Sequence, residues 1–202
     1  MNQIIKNTII LFVITLVAGI CLGTVHDITL DPIAQAQEAA ATKTYQEVYP
    51  DAASFDEPQE LADAVTAAAD SISEWGFGKV TINDAKEALD ASGNQIGYLI
   101  PSASAESYGG NVQIAVGITN EGELTGIGFL SISDTPGLGM RAKEPDFKDQ
   151  FIGKKAENLE VTKTGASADN QIEAISGATI TSKAVTNATD AAIYFVANCL
   201  AQ

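Results

Sequence analysis

From Asn7 to His26 the chain carries no charged side chain, taking histidine as neutral. Within that stretch Ile9 to Val17 is apolar apart from Thr15. A helix rises ~1.5 Å per residue, so about 20 such residues match a hydrocarbon layer ~30 Å thick. The segment is therefore expected to cross a membrane as a helix. Lys6 precedes the run, and Asp27 and Asp31 follow it. Basic flanks stay on the cytoplasmic side, so the short N-terminus is expected inside and the rest of the chain outside. A cleaved signal peptide is the competing reading, because Ala34-Gln35-Ala36 offers an A-x-A site. That site lies roughly three helical turns past the run, which favours an uncleaved anchor. A lipoprotein cysteine at Cys21 would need a small residue before it, and Ile20 is not small.

The charge of the chain lies on one side of this segment. There are 11 basic and 26 acidic residues, a net −15. All the acids and all the bases except Lys6 follow residue 26, so the exported part carries −16. That balance argues against unaided nucleic-acid binding, which needs basic groups to displace counterions. A hydrophobic content of 46% over 202 residues allows one packed domain beside the anchor. His26 is the only histidine, so neither a Ser-His-Asp triad nor a multi-histidine zinc site can form in the exported part. Cys21 and Cys199 are too few for a cysteine-rich metal site or a disulfide scaffold. Redox chemistry here would have to be carried by a bound organic cofactor.

The exported part reads as α+β. Residues 32–49 are rich in Ala, Glu and Gln and predict a helix leaving the membrane, with Pro32 in its first turn. A second helix is expected over 58–70. Gln95 to Ala103 reads as a strand. Val112, Ile114, Val116 and Ile118 alternate strictly, which marks a half-buried strand, and Leu124 to Ser133 is its partner after the Asn120-Glu121-Gly122 turn. A short helix is expected over Glu144 to Phe151 and a further strand over Asn158 to Thr164. Ala184, Val185, Ala188, Ala191, Ala192, Phe195, Val196 and Cys199 recur at three and four, the spacing of an amphipathic helix. Together these predict a largely antiparallel sheet with flanking helices. The expected divisions are 1–26 as anchor, 27–90 as a helical connector and start of the exported domain, and 91–202 as its core.

Two segments are candidates for binding. Asp134-Thr135-Pro136-Gly137-Leu138-Gly139 follows a strand and forms a Pro/Gly loop, where glycine lets the backbone approach a ligand. Ile175-Ser176-Gly177-Ala178-Thr179-Ile180-Thr181-Ser182 is small, hydroxyl-rich and placed where the last helix begins. Free N–H groups and the helix dipole favour an anion such as phosphate there. A helix start capped by Ser or Thr is the plainer alternative.

Ser176-Gly177-Ala178-Thr179 resembles the S-G-A-T motif of covalent FMN-binding domains, in which a flavin transferase joins FMN through its phosphate to the motif threonine. Asp134 to Gly139 is similar to that family's E-T-P-G-L-G loop, with Asp134 in place of glutamate. Tyr108-Gly109-Gly110 before the alternating strand resembles its Y-G-G element. Two departures stand nearby: Glu173 where aspartate is frequent, and Ser133 before the loop where histidine or another polar residue is frequent. The resemblance implies FMN on Thr179, a turn shaped by Ser176, Gly177 and Ala178, and an isoalloxazine ring framed by Thr135, Pro136, Gly137, Leu138 and Gly139. It implies no catalytic residue and no metal. The single anchor and modest length look more like the G subunit of Rnf-type ferredoxin:NAD oxidoreductases than the larger C subunit of the sodium-pumping NADH:quinone oxidoreductase. The implied role is an electron-transfer subunit of a membrane translocase, with other subunits and a flavin transferase as partners. An FMN carrier of another extracytoplasmic redox pathway, or a cofactor-free anchored binding protein, are the alternatives.

Overall fold

A computed structural model of the chain describes residues 2–155 and 158–200. It divides into two compact units, 1–42 and 43–202.

The first unit lies in helix α1, Asn2–Val48. Its apolar stretch has a mean hydropathy of 2.6 over 18 residues, none of it buried, and is long enough to cross a membrane. Threonines within it close their own hydrogen bonds. Thr8 donates to the Ile4 carbonyl at 2.9 Å, Thr15 to Leu11 at 3.0 Å and Thr24 to Ile20 at 2.8 Å. A hydrocarbon layer offers no other partner for these hydroxyls, so the polar atoms are satisfied within the helix. A helix beginning at Pro32 is not what forms: Pro32 lies inside α1. Proline there removes one backbone donor. The alanine-rich sequence after it has high helix propensity, and the helix continues through.

In the second unit, β4 (Gln95–Ser107), β5 (Gly110–Thr119) and β6 (Leu124–Ile132) form an antiparallel meander. Three short strands extend it: β1 (Ser54–Asp56), β2 (Val80–Ile82) and β3 (Lys86–Leu89). The order is β1-β3-β4-β5-β6, with β2 also paired to β4. Pro101 has no N–H for a ladder. It sits where the outer neighbour of β4 changes, after the Leu99 pairing to β3 and before the Ser102 pairing to β2.

Both faces of the sheet are covered. One packs against α2 (Gln59–Ala69) and α4 (Thr179–Phe195) through Ile100, Ile114, Val116, Val185, Ala188 and Ala192. Small residues on α4 bring it close enough for Ser102 Oγ to donate to the Ala188 carbonyl at 2.9 Å. The other face packs Leu99 and Ala115 against Val48, the last residue of α1, and Tyr49 just beyond it. Tyr49 donates its hydroxyl to the Ile96 carbonyl at 2.8 Å, and Thr125 Oγ1 donates to the Val48 carbonyl at 2.7 Å. Helix α3 (Pro145–Lys148) and the 3₁₀ turn Asp149–Phe151 occupy the expected short-helix position, with Phe147 and Phe151 rings 5.7 Å apart. Strand β7 (Glu160–Thr162) falls inside the expected Asn158–Thr164 segment and pairs in parallel with β8 (Gln171–Glu173), which the sequence pattern did not predict.

Candidate functional site

Two Gly-containing turns face one another at the end of β6 and the start of α4. In the first, the Leu138 N–H donates to the Thr135 carbonyl at 3.1 Å, with Pro136 and Gly137 between them. Gly137 has φ +76°. Proline second and a positive-φ glycine third is the chemistry of a type II turn. In the second, the Ala178 N–H donates to the Ile175 carbonyl at 2.9 Å, and Gly177 has φ +80°. The turns touch: a Cβ on Gly177 would lie 3.2 Å from Leu138 Cδ2. Ser182 locks the second turn, accepting the Ile175 N–H at 3.0 Å and donating to the Ala178 carbonyl at 3.1 Å.

Asp134 ties the first turn to its surroundings. It is buried, and its Oδ2 accepts hydrogen bonds from Ser107 Oγ and, at 2.7 Å, from Thr181 Oγ1. One carboxylate oxygen thus joins the end of β4, the turn and the first turn of α4. Oδ1 is buried with no hydrogen-bond partner among the described residues. Gly139 packs directly on this carboxylate, since a Cβ there would lie 2.5 Å from Asp134 Cγ.

Helix α4 begins at Thr179 with Ala178 at its N-cap and no side-chain cap. The capped start offered by the sequence therefore does not form. The first N–H groups of the helix are left to a ligand or solvent. Thr179 is half-buried, and its hydroxyl makes no hydrogen bond among the described residues. Thr181, two residues on, is fully buried and committed to Asp134. Lys183 is exposed one turn beyond Thr179, at the i+4 spacing that shares a helix face.

Between the turns lies a cleft of about 510 Å³, within the ~300–1,000 Å³ range of small-molecule sites. Of the residues expected at the site, Thr135, Leu138, Gly139, Gly177, Ala178 and Thr179 line it. Pro136 and Gly137 build the first turn but do not line the cleft. Ser176 borders a neighbouring depression with Arg141, Gln150 and Glu173. Tyr108, Asp134, Ile180 and Thr181 line the cleft as well. Tyr108 and Asp134 belong to the elements noted in the sequence, but no periodicity placed either beside Thr179.

Residues 107–194 match the model of the FMN-binding domain family, and residues 1–48 match that of the RnfG N-terminal region. The chain is 35% identical to the G subunit of the Na(+)-translocating ferredoxin:NAD(+) oxidoreductase complex of Acetobacterium woodii, over 96% of this chain and 92% of that one. It is 30% identical to the G subunit of the proton-translocating ferredoxin:NAD(+) oxidoreductase complex of Clostridium ljungdahlii, over 95% and 91%. It is also 30% identical to the G subunit of the ion-translocating oxidoreductase complex of Methanosarcina acetivorans, over 96% and 95%.

Proposed function

The chain belongs to the family of G subunits of ion-translocating oxidoreductase complexes, and from that premise we propose that it is the FMN-carrying electron-transfer subunit of a membrane-bound ferredoxin:NAD oxidoreductase. Thr179 would hold the FMN as a phosphodiester, formed by a flavin transferase that moves FMN from an activated flavin dinucleotide to the threonine hydroxyl as the nucleoside monophosphate leaves. The observation that carries this reading is the free Thr179 hydroxyl at an uncapped helix N-terminus inside a cleft. The other subunits of the complex are its redox partners.

The residues present fit the group. A phosphodiester keeps one negative charge, and the open N–H groups of α4 with the positive end of its dipole favour that charge. In the Ile175–Ala178 turn the Ile175 side chain is buried in the core and Ser176, Gly177 and Ala178 are small, so the phosphate can reach Thr179. Leu138 and Ile180 give the cleft apolar walls for a ring. When bound, FMN supplies the electron uptake and release that no side chain of this histidine-poor chain provides. The exported part carries −16 and repels a free anionic flavin, so a covalent tether solves its retention.

Helix α1 anchors the chain in the cytoplasmic membrane, with residues 43–202 on the extracytoplasmic side. Intact-mass measurement on full-length protein expressed with a flavin transferase tests the reading. One FMN residue added to the polypeptide, with a visible flavin absorbance, is the expected result. Protein that stays at the unmodified mass and colourless under those conditions overturns it.

A further inference from the structure

Most of the large exposed apolar side chains of residues 43–202 gather at one place. Five large apolar side chains are exposed there among the described residues: Tyr108, Leu138, Ile152, Ile180 and Tyr194. Three of the five, Tyr108, Leu138 and Ile180, line the cleft beside Thr179. Tyr108 is the most exposed, at 73%.

The backbone under Tyr108 is nevertheless firmly held. Ser107 pairs with Gly110 across the β4–β5 hairpin, leaving Tyr108 and Gly109 as its two-residue tip. On one side of the tyrosine, Ser107 donates its hydroxyl to Asp134. On the other, Gly109 presses against the strand end that feeds the Thr135 turn, and a Cβ there would collide with the Ser133 carbonyl oxygen. The tyrosine thus combines a wet ring with a fixed main chain. As a core residue it contributes little, because most of its surface is still in water. As a platform for a flat ligand it is well placed, because a fixed main chain leaves little freedom to lose on binding.

We propose that Tyr108 is the aromatic platform on which the planar ring system of the bound ligand stacks, with Leu138 and Ile180 closing the remaining apolar walls. The inference rests on the FMN reading and extends it by naming the residue that recognises the ring. Offset stacking of two aromatic faces is favourable beyond the area it buries. A phenol in that position also donates an electron transiently to an excited flavin and returns it, which quenches flavin emission.

The test uses full-length wild type, Tyr108→Leu, Tyr108→Phe and Tyr194→Leu, each expressed with the flavin transferase and purified in detergent. Intact mass and absorbance give the flavin content of each. Emission per bound flavin is the readout. Tyr108→Leu is expected to raise it severalfold and shift the visible absorption bands. Tyr108→Phe, which keeps a stacking face but loses the electron-donating phenol, is expected to raise emission while leaving the bands in place. Tyr194→Leu, at an exposed aromatic outside the cleft, is expected to change neither. Equal emission per flavin in wild type and Tyr108→Leu overturns the platform and leaves the flavin reading standing. It assigns the exposed tyrosine to another role, such as contact with a neighbouring protein of the complex. If Tyr108→Leu carries no flavin, Tyr108→Phe decides, and emission still quenched to the wild-type level overturns the proposal. A wild type without flavin by both mass and absorbance overturns both readings.

Discussion

Thr181 Oγ1 donates to Asp134 Oδ2 at 2.7 Å, whereas the hydroxyl of Thr179, two residues earlier on the same helical turn, has no partner among the described residues. Two threonines with the same side chain and neighbouring positions are thereby given opposite tasks. One is consumed in holding the site together, and the other lines the cleft with its hydroxyl unbonded.

Thr179→Val and Thr181→Val are therefore expected to separate loading from stability. Thr179→Val should lose the flavin adduct by intact mass, with unfolding free energy unchanged to about 0.5 kcal/mol, as for a substitution away from packed or bonded features. Thr181→Val should keep the adduct and lose about 1.5–3 kcal/mol, the range for a hydrogen bond to a charged group. Urea unfolding of the full chain in detergent and mass spectrometry give the two readings. An adduct that survives Thr179→Val and disappears in Thr181→Val reverses the assignment.

Gly139 and Gly137 are both glycine, for different reasons. At Gly139 a methyl group would meet the Asp134 carboxyl at 2.5 Å. Nothing lies within 4 Å of the corresponding position at Gly137, but its φ is +76°. Gly139→Ala is expected to cost about 1–3 kcal/mol through overpacking. Gly137→Ala is expected to cost about 1–2 kcal/mol through the left-handed backbone. Only Gly139→Ala should disturb Asp134 and with it the Thr181 bond, so Thr181→Val should cost less in the Gly139→Ala background than in wild type. Equal costs in both backgrounds would show that the two residues act independently.

The legible parts of this fold are those with local periodicity. Val112, Ile114, Val116 and Ile118 alternate, and each is fully buried in β5. Ala184, Ala188, Ala191, Ala192 and Phe195 repeat at helical spacing, and α4 forms on them. Strands β1, β2 and β3 are three or four residues long. That is too short to display a period, and their existence depends on pairing with distant partners. Helix α1 passes through Pro32 because its long alanine-rich neighbours outweigh one lost backbone bond. At the site the two turns were readable from glycine and proline, whereas among the hydroxyls of Thr179, Thr181 and Ser182 only the family resemblance singles out Thr179. The Asp134–Thr181 bond spans 47 positions and Ser107–Asp134 spans 27. No local pattern encodes contacts that only the packed sheet creates.

The proposed topology rests on Lys6 at one flank of the apolar run and acidic residues at the other. Protease added to spheroplasts is expected to degrade residues 43–202, and to spare them in intact cells whose outer layer excludes it. The full chain should sediment with membranes after an alkaline carbonate wash. A protein lacking residues 1–42 should remain in the supernatant. Resistance of the body to external protease, with digestion only after lysis, would place it on the cytoplasmic side.

Asp190 gives a pH dependence whose sign can be worked out. It is 4% exposed on α4, and its Oδ1 accepts the Leu159 N–H at 2.9 Å. Burial pushes its carboxyl up from the ordinary 3.8 to about 7, against the opposing pull of the Leu159 N–H. Between those two values the folded chain binds more protons than the unfolded chain, so stability falls as pH rises through the window. The penalty is absent below the ordinary carboxylate value and complete above neutrality. Asp190→Asn keeps an oxygen acceptor for Leu159 and removes the titration. Its stability relative to wild type is therefore expected to increase with pH, by about 2–4 kcal/mol across the window. Urea unfolding of both proteins from acid to mildly alkaline buffer measures the difference directly. Taking the difference cancels the general repulsion of an acidic chain, which both proteins share. Parallel stability curves would mean that Asp190 is solvated in the folded state and that its carboxylate carries no burial cost.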